Sequence, residues 1–496
     1  MEIRAALASL FLLAAGQAHA AAPSPQTLAE VDRIFADWGL SAHAPGLVYG
    51  VVADGKLVHV KGLGAQDLDT KAPVTADSLF RIASMSKAFT ALAILKLRDE
   101  GKLSLEAPAE NYVPELKTWR YPTADSPKIT VRNLITHTAG FVEDNPWGDR
   151  QQVMSEAEFT SYLAGGVPFS RAPGLAMEYS NLGYATLGRI ITNVSGKPYQ
   201  DYIREEIMRP LGMTSTGYDI FASPKGRRAI GYRWQDNGWT REPDMKDGTF
   251  GAMGGVETSA NDYARWVSFL LSAWPARDDA ETGPLRRSTV REIATGSNFV
   301  AGRMRQASVG GAPCRQAVAY AMGWSTIDDC DLGQIVTHSG GYPGYGSIVM
   351  LLPAKGVGVF AFASRTYAGP TLPALRSLLA LQGAGALKDA SATPVSDGLS
   401  QAYEAAKAVW RAGDIEKAPL ANNLLLDRDA PRWKRLIADV KAEVGACRAD
   451  EPVRPLSAME GRFTWTCERG RVTGRVQRAP TQKVEIQALE FTVAQP

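Results

Sequence analysis

From Pro45, the stretch PGLVYGVVADGKLVHVKGLGAQD places two runs rich in Val, Leu and Tyr on either side of Asp54-Gly55. That pattern predicts two strands joined by a tight turn. The period changes at FRIASMSKAFTALAILKLRDEGKL, which begins at Phe80. Phe89, Leu92, Ala93 and Leu97 recur at helical spacing, and Gly101 supplies a stop. Helical and strand patterns then alternate to about Leu381. Within them, SIVMLLPAKGVGVFAFAS is the most apolar run, but Pro353 and Lys355 divide it into two buried strands too short to cross a bilayer. The small, polar segment GAGALKDASATPVSDG, from Gly383, interrupts the pattern as a linker. Beyond it, SQAYEAAKAVWRAGD and APRWKRLIADVKAEVGA are amphipathic, while RFTWTCERGRVTGRVQ and KVEIQALEFTV alternate as half-exposed strands. The expected organisation is a leader over residues 1–20, a large domain over 21–388, a linker over 389–398 and a small α+β domain over 399–496, without internal repeats.

Charge and cysteine usage narrow the classes. A net charge of +2 over 496 residues, with no run of Lys or Arg, argues against a nucleic-acid partner. The opening MEIRAALASLFLLAAGQAHAAAPS has Arg4 and the amino terminus, an apolar run from Ala5 to Ala15, and the small-x-small site Ala18-His19-Ala20. It predicts an export signal removed on the way to the periplasm or the medium, leaving a mature chain without a transmembrane segment. Four cysteines, Cys314, Cys330, Cys447 and Cys467, fit disulfides in an exported protein. Of the three possible connectivities, sequence proximity favours Cys314–Cys330 with Cys447–Cys467. The absence of a CxxC pair or clustered histidines argues against zinc.

The candidate chemistry starts at Ser84-Met85-Ser86-Lys87. A serine hydroxyl must lose its proton to become a nucleophile, and a buried lysine can take it or relay it. Three residues apart on a helix, Ser84 and Lys87 share a face, and a helix start favours negative charge developing at the serine. A lone Ser-x-x-Lys is weak evidence, since about one is expected by chance in a chain this long. Two further motifs strengthen it. In EYSNLGY, the Tyr179 phenol can carry a proton to a leaving group, and Asn181 can orient Lys87 and a substrate amide. In VTHSGGYPGYGSIVMLLP, a strand-like run, His338 stands close to the start and is followed by Ser339, Gly340 and Gly341. The glycines permit close approach of a substrate to a strand edge and of a backbone N–H to an oxyanion.

In order and spacing these motifs resemble the serine β-lactamase-related, penicillin-recognising hydrolases, in particular their class C-like branch. The likeness covers about Val31 to Leu381 and extends to LITHTAGF from Leu134, MGGVETSANDYARWVSFLL from Met253 and GYPGYGSIVMLLPAKGVGVFAFAS from Gly341. It implies an α/β (α+β) fold, an antiparallel sheet flanked by helices with an all-helical subdomain, and an active-site cleft between them. SEAEFTSYLAGGV and QDYIREEIMRPLGM would be helices near that cleft. Ser84 would be the acylated nucleophile, Lys87 its base or relay, Tyr179 the general acid/base and Asn181 a positioning and substrate-binding group. His338, Gly340 and Gly341 would form the substrate-binding third motif, with the backbone N–H groups of Ser84 and Gly341 as oxyanion hole. Whether Lys87 or Tyr179 accepts the serine proton stays open. No metal or organic cofactor is implied.

His338 departs from the Lys-Thr-Gly of true β-lactamases, whose lysine meets the drug's carboxylate. His-x-Gly resembles instead the D-aminopeptidase and esterase-like members. The expected activity is an exported serine hydrolase acting on short D-residue peptides or amides, then on carboxylic esters, then on β-lactams. The alternative of another class is a sensor that is acylated without turnover. Other residues are given plainer expectations. His137 is structural, and His43 and His59 are packing or surface residues. Glu178 reads equally as a water-activating base or as a solvated turn residue, and Trp234, Trp239 and Phe250 belong to a surface loop. Tyr342 and Tyr345 either line the cleft or pack on the sheet.

Overall fold

In the computed structural model, Asp54 (φ 50°) and Gly55 (φ 73°) both take the left-handed conformation that a two-residue hairpin turn requires. β1 (Gly46–Ala53) thereby folds back on β2 (Lys56–Gly64). The structure describes residues 23–305, 313–387 and 395–494. The predicted leader lies outside them, as does most of the predicted linker. The chain forms two compact units, Met1–Lys388 and Asp389–Pro496.

The larger unit is built on an eight-stranded sheet. Its remaining strands are β3 (Asn298–Arg305), β4 (Cys314–Tyr320), β5 (Ser325–Asp329), β6 (Gly333–Tyr342), β7 (Tyr345–Leu352) and β8 (Val357–Ala363). The order is β2-β1-β8-β7-β6-β5-β4-β3, antiparallel throughout. The central strands are apolar without a break because both faces are covered. Leu47, Tyr49 and Val51 of β1 join a core with Val31 and Phe35 of α1 (Pro25–Ser41) and a late helix, Thr371–Gly383. Val48 and Val52 face the other way, into the core shared with α2 (Lys87–Asp99). The segment between β2 and β3 is mainly helical. It also carries two short ladders, Phe80–Arg81 with Glu257–Thr258 and Tyr232–Gln235 with Gly238–Arg241.

Two local readings change. His338 lies in the latter half of β6, and the run through Leu352 is a hairpin, because Pro343 and the left-handed Gly344 (φ 91°) turn the chain. The predicted linker ends early. The Ser396 hydroxyl accepts from Leu399 N–H at 3.1 Å and starts a helix at Asp397. That helix and Ala430–Val444 belong to the smaller unit, whose sheet is formed chiefly by Glu460–Cys467, Gly470–Arg478 and Ile486–Val493. Trp410, Phe463, Trp465 and Phe491 fill its core. Cys314 is bonded to Cys330 and Cys447 to Cys467. Among the described residues, no helix is long and apolar enough to cross a membrane.

Candidate active site

Ser84 sits in a short 3-10 turn, Ala83–Ser86, that leads directly into α2. The residue before it, Ala83, has φ 50°. A left-handed alanine is strained, and here it bends the chain just ahead of the serine. Ser84 keeps 7 % exposure, whereas the first residue of α2, Lys87, has none. Every residue of α2 from Lys87 to Leu95 is buried, so the helix enters the core on all sides and carries the lysine with it.

Inside, the Lys87 ammonium donates three hydrogen bonds: to Ser84 Oγ at 3.1 Å, Asn181 Oδ1 at 2.7 Å and the Met253 carbonyl at 2.9 Å. Burial pushes its pKa well below the ordinary lysine value of 10.5, against the opposing pull of the Asp149 and Asp144 carboxylates. Asn181 opens α3 (Asn181–Ser195). Its backbone N–H and that of Leu182 bind the Asp144 carboxylate at 2.6 and 2.9 Å, and its side-chain N–H donates to Asn145 Oδ1 at 3.2 Å. Gly148 makes room for this packing, since a Cβ there would stand 2.7 Å from that of Asn181. Asn181 has no exposure. Its amide oxygen accepts from Lys87 and one amide N–H donates to Asn145, so the side chain holds Lys87 in place.

Tyr179 lies on the other side of the pair. Its ring is 4.8 Å from the Lys87 nitrogen, and its phenol interacts with Ser84. Burial holds that phenol well above its ordinary pKa of 10.0, with Tyr320 adding to the effect and the bond to Ser84 opposing it. His137 packs behind, its ring 4.3 Å from Tyr179, and its Nδ1 accepts from Ser180 N–H at 3.1 Å. It is thus a support for the tyrosine, in keeping with its structural expectation. His338 Nδ1 donates to the carbonyl of Ser339 at 2.7 Å, and Nε2 lies 3.3 Å from the Tyr320 hydroxyl. Burial and the charge of Lys87 push its pKa down to about 4, so the ring is neutral at pH 7.

These groups meet at a cleft of about 600 Å³ lined by Ser84, Tyr179, Tyr320, His338, Ser339 and Gly341. The sheet leaves this edge open. The last β5–β6 pair is Ser325 with Thr337, so the segment from His338 onward has no strand beside it on that side. Gly340 is not part of the lining. A Cβ there would overlap Ser347 Oγ and the Ile82 carbonyl and come within 3.1 Å of Ala83 Cβ, so this glycine lets β6 pack against the nucleophile turn. Of the two third-motif glycines, only Gly341 borders the cleft.

Several lining residues escape the motif analysis: Asn145, Pro146, Asp149, Met177, Tyr320 and Tyr367. The polar run in FVEDNPWGDR was the available signal for the first three. The helices Glu156–Ala164 and Tyr199–Ile203, expected near the cleft, contribute no lining residue, and neither do Trp234, Trp239 or Phe250. Tyr342 and Tyr345 are buried and pack on the sheet, the latter donating to the Ala229 carbonyl at 2.8 Å. Glu178 pairs with Arg171 at 2.7 Å outside the cleft. His43 stacks on Trp234, and His59 donates to Asp32 at 2.6 Å.

Comparison with known proteins adds an independent line. The family described as Beta-lactamase matches residues 28–384. Protein flp of Staphylococcus aureus (strain N315) is 30% identical over 341 residues, 68% of this chain and 62% of that protein. Uncharacterized protein MT1414 of Mycobacterium tuberculosis (strain CDC 1551 / Oshkosh) is 32% identical over 245 residues, 44% of this chain and 59% of its own length. The chain therefore spans less than two thirds of these relatives. Among solved structures, the octameric penicillin-binding protein homologue from Pyrococcus abyssi superposes with a TM-score of 0.61 at 20% identity, covering 91% of this chain and 96% of that one. A class C beta-lactamase superposes at 0.59 with 21% identity, covering 73% and 98%. At these identities the structures speak for the fold.

Proposed function

The chain belongs to the beta-lactamase family, and on that premise we propose that it is a serine hydrolase working through a Ser84 acyl-enzyme, with short D-residue peptides or amides as preferred substrates and simple esters next. The observation that carries this reading is the fully buried Lys87 nitrogen, bonded at once to Ser84 Oγ, Asn181 and a main-chain carbonyl. The directions of the pKa shifts divide the labour. Lys87 is pushed toward the neutral amine and Tyr179 is held as the phenol, so Lys87 is the base and Tyr179 the proton carrier.

In the proposed reaction Lys87 takes the Ser84 hydroxyl proton as Oγ bonds to the substrate carbonyl carbon. The carbonyl electron pair moves onto oxygen, facing the backbone N–H groups of Ser84 and Gly341. The pair returns as the bond to the leaving group breaks. Tyr179 gives that group its phenolic proton and regains one from Lys87. Water then attacks the ester, its proton following the reverse relay back to Ser84.

A neutral His338 offers no fixed charge to a substrate carboxylate, which places β-lactams last. We assign the hydrolase domain to residues 21–388, and among the described residues of the smaller domain there is no catalytic constellation. Export is inferred from the predicted leader and is supported by the two disulfides. The test is multiple-turnover hydrolysis of a D-alanyl anilide, a short acyl ester and a chromogenic cephalosporin, with Ser84→Ala alongside. Ser84-dependent turnover, fastest on the anilide, is expected. One equivalent of acylation without turnover would replace the hydrolase by a sensor.

A further inference from the structure

Among the described residues lining the cleft, the one that carries a formal charge is a carboxylate, Asp149. It stands in the short helix Asn145–Arg150 with 3 % exposure. Its hydrogen-bond partner is the Tyr367 hydroxyl, which donates to Oδ2 at 3.0 Å. Tyr367 itself is held in a left-handed conformation (φ 54°) and packs on the open strand edge. A Cβ at Gly341 would come within 2.9 Å of its ring. One side chain thus ties the edge that would carry the substrate to the carboxylate that faces it. The walls between are Pro146, Met177 and Tyr320, none of them cationic.

A buried carboxylate without a basic partner is costly to keep ionised, and a cation brought by a ligand removes that cost. Lys87 supplies part of the compensating charge, since its field reaches Asp149. When Lys87 becomes the neutral base, that compensation disappears. A ligand ammonium near Asp149 would restore it and would also disfavour the protonated form of Lys87.

We propose that Asp149, oriented by Tyr367, is a specificity-determining residue that receives a primary ammonium group of the substrate. The cleft thereby selects amides and esters with a free amine over N-acylated and carboxylate-bearing ones. This rests on the hydrolase reading above. It predicts that alanine p-nitroanilide is cleaved with a kcat/KM about ten- to a hundredfold above its N-acetyl derivative. Asp149→Asn, a replacement of equal size, is expected to bring that ratio close to one.

Binding separates the two readings. Titration calorimetry of the Ser84→Ala protein with alaninamide and N-acetylalaninamide is expected to give the same preference for the free amine, lost when Asp149→Asn is added. A preference that survives Asp149→Asn in either measurement, or a wild-type protein that favours the acetylated compounds, overturns the proposal. Turnover that persists in Ser84→Ala would overturn the hydrolase reading and leave the ammonium site standing on the binding result. Should Asp149→Asn fail to fold, Asp149→Ser carries the same comparison.

Discussion

The two walls of the cleft are built on opposite principles. On the Ser84 side, the central polar groups are tied to partners: Lys87 uses all three of its donors, and Asn181 is held in turn by Asp144 and Asn145. On the β6 side, the segment from His338 to Gly341 is paired with β7 on one edge and left open on the other, and its one ionisable ring is neutral. The first wall is set for a single chemical step and leaves little latitude for change. The second is open backbone beside a neutral imidazole, and it leaves room for a ligand to lie along the strand edge. On the proposed function, the acyl-transfer chemistry is lodged in the first wall, and substrate choice is shared between the open edge and the Asp149 that faces it.

The sharpest way to break this contrast is at Lys87. Lys87→Met removes the proton acceptor while keeping the volume, and kcat/KM in steady-state assays is expected to fall by about 10³-fold. A loss of less than tenfold would put the base elsewhere. In the native protein, the rising limb of the pH–rate profile should lie well below the ordinary lysine value of 10.5, because burial favours the uncharged amine. A limb near 10 would contradict that.

The next test crosses from one wall to the other. Gly340→Ala forces β6 against Ile82 and Ala83, so about a hundredfold loss of kcat with a lowered melting temperature is expected. Ser339→Ala, one residue away and facing the cleft, should leave the melting temperature where it was.

His338 provides a thermodynamic check. Its folded pKa of about 4 lies below the value of 6.5 expected when unfolded, so between these the unfolded chain binds more protons. Its contribution to stability is complete above pH 6.5 and is lost as the pH falls toward 4, by about 3 kcal/mol at most. Chemical denaturation at several pH values, native against His338→Gln, isolates that share, and parallel curves would remove it. The smallest effect is expected at Ala83→Gly, which relieves the left-handed alanine and should raise stability by about 1 kcal/mol.

Much of this arrangement is local, and what is local could be read. Ser84 and Lys87 are neighbours through one turn, Tyr179 and Asn181 flank a helix start, and the Asp54-Gly55 turn needs only its own two residues. Gly340 and Gly341, adjacent and chemically identical, could not be told apart. Their difference is set by Ile82 on one side and Tyr367 on the other, far away in sequence. Asp149 and Tyr320 were missed for the same reason. Asp149 lies within a short helix with no hydrophobic period, and Tyr320 looks like any strand aromatic until β4 is laid beside β5. The helix from Asp397 begins inside a polar stretch that reads as linker, because a single serine cap, Ser396, suffices to start it.

The complete enclosure of Lys87 also bears on how the protein responds to amine-reactive reagents. A lowered proton affinity ordinarily makes a lysine the fastest in a chain to acylate or reductively alkylate. Here the nitrogen has no accessible surface, and the way in runs past Ser84 and Tyr179. Labelling at Lys87 should therefore depend on the size of the reagent, and bulky esters should modify the outer lysines while sparing the one that is chemically most disposed to react.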